Sequence, residues 1–162
     1  MNSLKKVAVL GGGSFGTVLA NLAASNGNQV SLWVRDAEQA LRINSEGANT
    51  SYHPELKLSN NIKASDNLEE VMHEASIIFI ATPSLIFDQI IKRISNFLIE
   101  EAFIISCTKG ILDKPFRTLS DILSDELKNK VGVLRICLPS SKSLEPFIDW
   151  PKDLAKKIFI QN

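Results

Sequence analysis

Short apolar segments alternate along the chain with longer segments whose apolar residues recur at helical spacing. The apolar segments predict β-strands at residues 6–10, 29–34, 77–81, 102–107 and 131–138, with a short edge strand at 61–64. Helices are predicted at 15–25, 35–43, 68–73, 84–97 and 119–127. Ser65 or Asp66 is expected to cap the 68–73 helix.

The order of these elements predicts the fold class. The first strand, helix and strand form a unit of about 30 residues, the size expected of a βαβ motif. Strands that alternate with helices indicate an α/β protein with a Rossmann-type, doubly wound and mostly parallel sheet. We expect this domain to span residues 1–138, and residues 139–162 to form an atypical segment, irregular with a short helix.

Composition narrows the function classes. Eighteen basic and 18 acidic residues give a net charge of zero, which argues against nucleic-acid binding because the chain lacks clustered cations. The apolar runs at 7–10 and 75–81 are too short for a signal peptide or a membrane span. The two cysteines, Cys107 and Cys137, lie in apolar segments and predict buried thiols rather than a disulfide framework or a metal site. A cytoplasmic location follows as the expectation.

A glycine-rich segment directly after the first strand is the strongest chemical signal. Gly11, Gly13 and Gly16 fit the pattern G-x-G-x-x-G between a strand and a helix. Gly11 would permit a tight turn, Gly13 the approach of a pyrophosphate, and Gly16 close packing of helix on strand. The N–H groups of the helix N-terminus would hold the phosphate. The alternative is a glycine turn without a ligand.

The glycine pattern is typical of sites that bind a dinucleotide cofactor. In such a site, the end of the second strand should contact the ribose of the adenosine. Arg35 and Asp36 occupy that place, and the spacing does not decide between them. Arg35 would pair with a 2′-phosphate and favour NADP, whereas Asp36 would bind a 2′-hydroxyl and favour NAD. Both residues could instead be solvated loop charges.

Two later strands end in residues that would lie on the same edge of the sheet. Pro83 follows the most apolar strand and would form a rigid edge beside the nicotinamide, although a plain turn explains it as well. Lys109 follows the next strand, and position alone favours a surface lysine in a turn. His53 and His73 have no partners at metal-ligand spacing, so we expect surface or interface residues and no metal site.

Taken in order, these motifs resemble the N-terminal half of bacterial NAD(P)-dependent glycerol-3-phosphate dehydrogenase. The matching segments are VLGGGSFGT at 9–17, LWVR at 32–35, IN at 43–44, Asn49, YHP at 52–54, Leu58, NI at 61–62, SD at 65–66, Leu68, ATPS at 81–84, SCTKG at 106–110 and VGVL at 131–134. The resemblance is collinear over about the first 134 residues.

The resemblance implies an oxidoreductase that interconverts dihydroxyacetone phosphate and sn-glycerol 3-phosphate for phospholipid synthesis. By resemblance, Ser14, Phe15 and Arg35 contact the dinucleotide, and Lys109 contacts both cofactor and substrate. The cofactor is expected to be NAD or NADP, and the family arginine at the Arg35 position, which is compatible with NADP, favours NADP slightly. The partner is then a small phosphorylated molecule, with no nucleic acid and no membrane insertion.

The resemblance weakens after residue 134, where a Ser-Gly-Pro motif of the family is replaced by the sequence from Arg135 to Ser141. The resemblance implies a helical second domain with a general acid/base lysine, which we expect to lie beyond these residues. We therefore expect these 162 residues to bind cofactor without turnover. The alternatives are a non-catalytic nucleotide-binding remnant, a partner-binding fragment that self-associates through apolar surface, and a ketopantoate or sugar-acid dehydrogenase.

Overall fold

The structure is a computed structural model that describes residues 5–108, 111–113, 116–127 and 130–133. Its strands are β1 (Lys6–Leu10), β2 (Gln29–Trp33), β3 (Ile62–Ser65), β4 (Ile77–Ile80), β5 (Phe103–Ser106), β6 (Ile111–Asp113), β7 (Phe116–Thr118) and β8 (Lys130–Val133). Its α-helices are α1 (Ser14–Ser25), α2 (Ala37–Glu46), α3 (Leu68–Met72), α4 (Phe87–Ile94) and α5 (Leu119–Glu126). Two short 3₁₀ turns, Ser84–Ile86 and Ser95–Phe97, flank α4.

Six of the strands form one sheet in the order β3-β2-β1-β4-β5-β8. Every neighbouring pair in this sheet is parallel, so the predicted α/β, doubly wound architecture is confirmed. The chain builds outward from β1 to β3, then returns to β4 on the other side of β1. The connections therefore reverse direction between β1 and β4, which is where open α/β sheets bind ligands.

The apolar core lies on both faces of the sheet because successive side chains of a strand point to opposite sides. In β1, Val7 and Val9 pack with α1 and α2, whereas Ala8 and Leu10 pack with α3, α4 and α5. All four are completely buried, and such burial on both faces explains why the strand reads as a continuous apolar run.

The start of α3 corrects one expectation from the sequence. Asn67, rather than Ser65 or Asp66, is the N-cap, because its Oδ1 accepts hydrogen bonds from the N–H groups of Glu69 and Glu70. The Ser65 hydroxyl donates instead to the Glu70 carboxylate at 2.7 Å.

Other differences concern element boundaries. The helix predicted over 84–97 is a shorter α4 between two 3₁₀ turns, because the backbone at Ile86 (φ −107°, ψ 2°) lies outside the α region. The antiparallel hairpin β6–β7 was not predicted at all. The expected end of the last strand, Cys137 and the segment 139–162 lie outside the described residues, as does the boundary at 138.

Within the described ranges, no helix is both long enough and apolar enough to cross a lipid bilayer.

Candidate cofactor-binding site

A cleft of about 960 Å³ lies at the carboxyl ends of β1, β2, β4 and β5. Its floor is the turn from Gly11 to Gly13, which joins β1 to α1. Arg35 and other residues that follow β2 line one side, and the residues after β4 and β5 line the other. The cleft therefore spans the reversal point between β1 and β4.

The glycine turn is tight at Gly11, Gly12 and Gly16. A Cβ on Gly12 would collide with the side chain of Val34, whereas Gly11 and Gly16 are crowded by backbone. Gly11 has φ +121°, and a Cβ on it would lie 2.5 Å from the carbonyl oxygen of Ala81. A Cβ on Gly16 would collide with the carbonyl oxygen of Gly11 and lie 3.5 Å from the Ala81 side chain. Both glycines are needed for the first turn of α1 to sit directly on the ends of the strands.

Gly13 differs, because a Cβ at this position would meet no atom within 4 Å. Its backbone is extended (φ −80°, ψ −174°), a conformation that any residue adopts, so the protein itself does not require a glycine here. A side chain at Gly13 would instead occupy open space in the cleft at the N-terminus of α1. The backbone at Gly13 is therefore open to the cleft.

The first turn of α1 has no capping side chain. Gly13 is the N-cap and makes no side-chain hydrogen bond, and the first turn contains no acidic residue. The first N–H that bonds back into the helix is that of Thr17, to the carbonyl oxygen of Gly13 at 3.0 Å. The preceding N–H groups have no acceptor within the helix, and together with the helix dipole they favour an anion.

A buried hydrogen-bond network supports the outer side of this turn. The Nδ2 of Asn49 donates to the carbonyl oxygen of Gly12 at 3.0 Å and to Oγ1 of Thr17 at 2.7 Å. Gln39 donates from Nε2 to the same Gly12 oxygen at 2.8 Å and to Oδ1 of Asn49 at 3.2 Å. Only 1% of Asn49 is exposed, whereas Gln39 is partly buried and lines the cleft, so these bonds fix the turn from its more buried side.

His53 joins the loop after α2 to the start of α1. Its Nε2 lies 2.9 Å from Oγ of Ser14 and 3.0 Å from the carbonyl oxygen of Ser14. The neighbouring residues Ser51 and Tyr52 line the cleft, so this contact holds the loop against the glycine turn. The histidine expected at a surface or interface therefore has a specific partner at the site.

The end of β2 brings two oppositely charged residues to the cleft. Arg35 and Asp36 both line it and both are exposed. Asp36 is also the N-cap of α2, because its Oδ1 accepts the N–H of Glu38 at 3.0 Å. One of its carboxylate oxygens is therefore already engaged by the helix.

The opposite side of the cleft is formed by the residues that follow β4 and β5. Pro83 lines it, and Oγ1 of Thr108 donates to the carbonyl oxygens of Ile80 (3.2 Å) and Thr82 (2.9 Å), which ties the two strand ends together. Cys107 also lines the cleft but is 5% exposed, and burial raises the pKa of its thiol to about 12. It is a neutral thiol at physiological pH, consistent with the predicted buried cysteine.

The structure thus brings most of the predicted site residues together. Those that line the cleft are Gly11, Gly13, Ser14, Phe15, Arg35 and Pro83. Gly16 is buried beneath the turn, and Lys109 lies outside the described residues. Sequence reasoning missed Gln39 and gave Asn49 no role. In the described part of the chain, no three His, Cys, Asp or Glu residues cluster as metal ligands.

The sheet order, the cleft at its reversal point and the glycine turn define a Rossmann-type domain of the kind found in nicotinamide-dependent dehydrogenases. The family model described as the N-terminus of NAD-dependent glycerol-3-phosphate dehydrogenase matches residues 6–137, most of the chain. The chain belongs to this family.

Individual relatives agree with the family model. The chain is 43% identical over 128 residues to glycerol-3-phosphate dehydrogenase [NAD(P)+] of Alcanivorax borkumensis, an alignment that covers 78% of this chain and 37% of the relative. The crystal structure of glycerol-3-phosphate dehydrogenase from Coxiella burnetii matches with a TM-score of 0.75 and 29% identity, over 81% of this chain and 40% of that one.

A more distant structure shows the same fold. Glycerol-3-phosphate dehydrogenase from Saccharomyces cerevisiae matches with a TM-score of 0.78 at 23% identity, over 98% of this chain and 54% of that one. The chain spans between 34% and 39% of the length of the curated relatives it matches.

Proposed function

We propose that this chain is the cofactor-binding part of an enzyme that transfers hydride between NAD(P)H and dihydroxyacetone phosphate or sn-glycerol 3-phosphate. The observation that carries the proposal is the uncapped first turn of α1, which opens into the cleft beside an unobstructed Gly13. The pyrophosphate of the dinucleotide would supply the acceptors that this turn lacks. Family membership supports the choice of a nicotinamide dinucleotide over other anionic ligands.

The proposal gives each site residue a task. Gly11 and Gly16 allow the turn to pack tightly, and Gly13 leaves space for the pyrophosphate. Ser14 and Phe15 contact the dinucleotide from the first turn of α1, where both line the cleft.

The two ends of the dinucleotide would then lie along the cleft in opposite directions. Arg35, at the end of β2, would contact the adenosine side, and Pro83, after β4, would contact the nicotinamide side; both residues line the cleft, which supports these roles. Lys109 is proposed, from the resemblance, to contact both the cofactor and the phosphorylated substrate.

When bound, the nicotinamide would supply the hydride that reduces the substrate carbonyl. Positive side chains near the carbonyl would stabilise the developing alkoxide. Because the 128 aligned residues cover 37% of the Alcanivorax relative, we expect this polypeptide, assayed by itself, to bind the cofactor without turnover.

Calorimetric titration of the purified chain with NADH and NADPH tests the proposal. We expect saturable binding of one dinucleotide per chain, with Gly13→Ala abolishing most of it and leaving the unfolding midpoint unchanged. The control is Gly27→Asn, in a loop after α1 and away from the cleft, where a Cβ meets no atom within 4 Å. It should leave dinucleotide binding unchanged and cost a little stability, because φ is +82° there and asparagine adopts that conformation with some strain. No binding at millimolar dinucleotide would refute the proposal and favour a non-catalytic remnant.

A direct absorbance assay with dihydroxyacetone phosphate and NADPH tests the expectation that the chain alone does not turn over substrate. Steady NADPH oxidation at the rate of a typical dehydrogenase would contradict this expectation.

Two further measurements test the other proposed properties. Sedimentation of the same sample determines whether the chain self-associates. Fractionation of cells that express the chain tests the proposed cytoplasmic location.

A further inference from the structure

The cofactor preference depends on which charged groups face the ribose of the adenosine. Three charged residues line the cleft near the end of β2: Arg35, Asp36 and Arg42. Arg42 lies on α2 three residues after Gln39, on the same face of the helix, and Gln39 also lines the cleft. Sequence reasoning considered the first two residues and gave Arg42 no role.

Arg42 is held only loosely by the protein. Its Nη1 lies 3.8 Å from Oε2 of Glu38, which is too long for a hydrogen bond, and 43% of its side chain is exposed. Glu38 is 83% exposed, so water screens the attraction between the two charges. Among the described residues, none accepts a hydrogen bond from the Arg42 guanidinium.

Asp36 is less suited to contact the ribose than its position suggests. As the N-cap of α2, it has Oδ1 engaged by the N–H of Glu38 at 3.0 Å. In an NAD site, a carboxylate at this place would accept hydrogen bonds from the ribose hydroxyls. Here one carboxylate oxygen already caps the helix, while Arg35 and Arg42 line the same cleft and no acceptor among the described residues bonds either guanidinium.

We propose that Arg42 acts with Arg35 to bind the 2′-phosphate of NADP(H) and makes the chain prefer NADP(H) to NAD(H), an inference that rests on the proposed function. A guanidinium binds a phosphate through paired, charge-assisted hydrogen bonds. The open space of the cleft gives the long Arg42 side chain freedom to turn from Glu38 towards such a group. The 2′-phosphate is the only part that distinguishes the two cofactors, so Arg42 affects their ratio.

The test compares the affinities of the wild type and Arg42→Gln for NADPH, NADH, 2′,5′-ADP and 5′-AMP by calorimetry. We expect Arg42→Gln to weaken the affinity for NADPH and for 2′,5′-ADP by about fivefold. The affinities for NADH and 5′-AMP should change by less than about twofold. Arg42→Lys should recover part of the loss, because it restores the charge without the planar fork.

Arg93→Gln is the matched control, since it removes the same charge from the exposed last turn of α4, outside the cleft. It should leave all four affinities unchanged, and both variants should unfold at the same temperature as the wild type. Equal weakening of NADPH and NADH by Arg42→Gln, or no change in either, overturns the role of Arg42 while the proposed function stands. Failure of the wild type to bind either dinucleotide overturns both.

Discussion

Asn49 allows the support beneath the glycine turn to be tested quantitatively. Asn49→Ala removes three hydrogen bonds: to the carbonyl oxygen of Gly12, to Oγ1 of Thr17, and from Nε2 of Gln39. At about 1 kcal/mol net for each bond, the free energy of unfolding should fall by about 3 kcal/mol. With a urea dependence of about 1.5 kcal/mol/M, the midpoint of unfolding should fall by about 2 M.

Urea unfolding followed by circular dichroism measures this change. Asn96→Ala is the matched control, because Asn96 is an exposed asparagine in the 3₁₀ turn after α4 and should change the free energy of unfolding by less than about 0.5 kcal/mol. Binding of NADPH should weaken as well in Asn49→Ala, since the Gly12 carbonyl loses one of its two side-chain donors.

Gln39→Ala provides a milder perturbation and a double-mutant cycle. The two side chains bond each other and share the Gly12 oxygen, so the two losses should not add, and the interaction energy should be about 1 kcal/mol. A loss below about 1 kcal/mol for Asn49→Ala, or strictly additive losses in the double variant, would refute the idea that these residues form one supporting network.

The remaining predictions concern glycines, a helix cap and a thiol. Gly16→Ala should lower the free energy of unfolding by at least about 2 kcal/mol, because its Cβ collides with backbone. Gly13→Ala should change the free energy of unfolding by less than about 0.5 kcal/mol. Equal effects in urea unfolding would contradict the claim that Gly16 is needed for packing and Gly13 is not. Asp36→Ala should lower the free energy of unfolding by about 1 kcal/mol, because it removes the N-cap of α2. Asp36→Asn should lower it much less, since an amide oxygen still caps the helix. Equal losses of unfolding free energy in the two variants would show that the charge of Asp36 matters more than its capping hydrogen bond. In a Cys137→Ser background, Cys107 should react with thiol reagents at pH 8 only as fast as the protein unfolds, because burial raises the pKa of its thiol from 9.0 to about 12. Rapid labelling of Cys107 would contradict its burial. For the same reason its contribution to stability is complete below pH 9 and is lost as the pH rises towards 12, which unfolding measurements across that range would show.

Much of the fold could be predicted from the sequence because the strands are buried on both faces. A short, continuous apolar run such as the one at β4 is best explained as a buried strand, because it is too short for a buried helix. The helices between such runs are amphipathic. Boundaries were less predictable. The 3₁₀ turn at Ser84–Ile86 depends on backbone angles at Ile86 that apolar spacing does not determine, and the hairpin β6–β7 has strands of only three residues.

The candidate site was predictable only where its function depends on the backbone. Glycines in a turn between strand and helix have a fixed spacing, so the sequence alone locates that turn. The support of the turn depends instead on side chains 27 and 37 residues further along the chain, those of Gln39 and Asn49. Hydrogen bonds across such separations have no local signature, and the same applies to the contact of His53 with Ser14.

The most direct test of the central claim is an NMR titration of the amide resonances with NADPH. If the pyrophosphate binds the first turn of α1, the amides of residues 12–16 and 35–36 should shift first and furthest, and those of Gly13→Ala should not shift. A second, smaller cleft at the amino ends of the strands, lined by Lys6 and Lys63, serves as an internal comparison. Shifts confined to that cleft, or none at saturating NADPH, would contradict the claim.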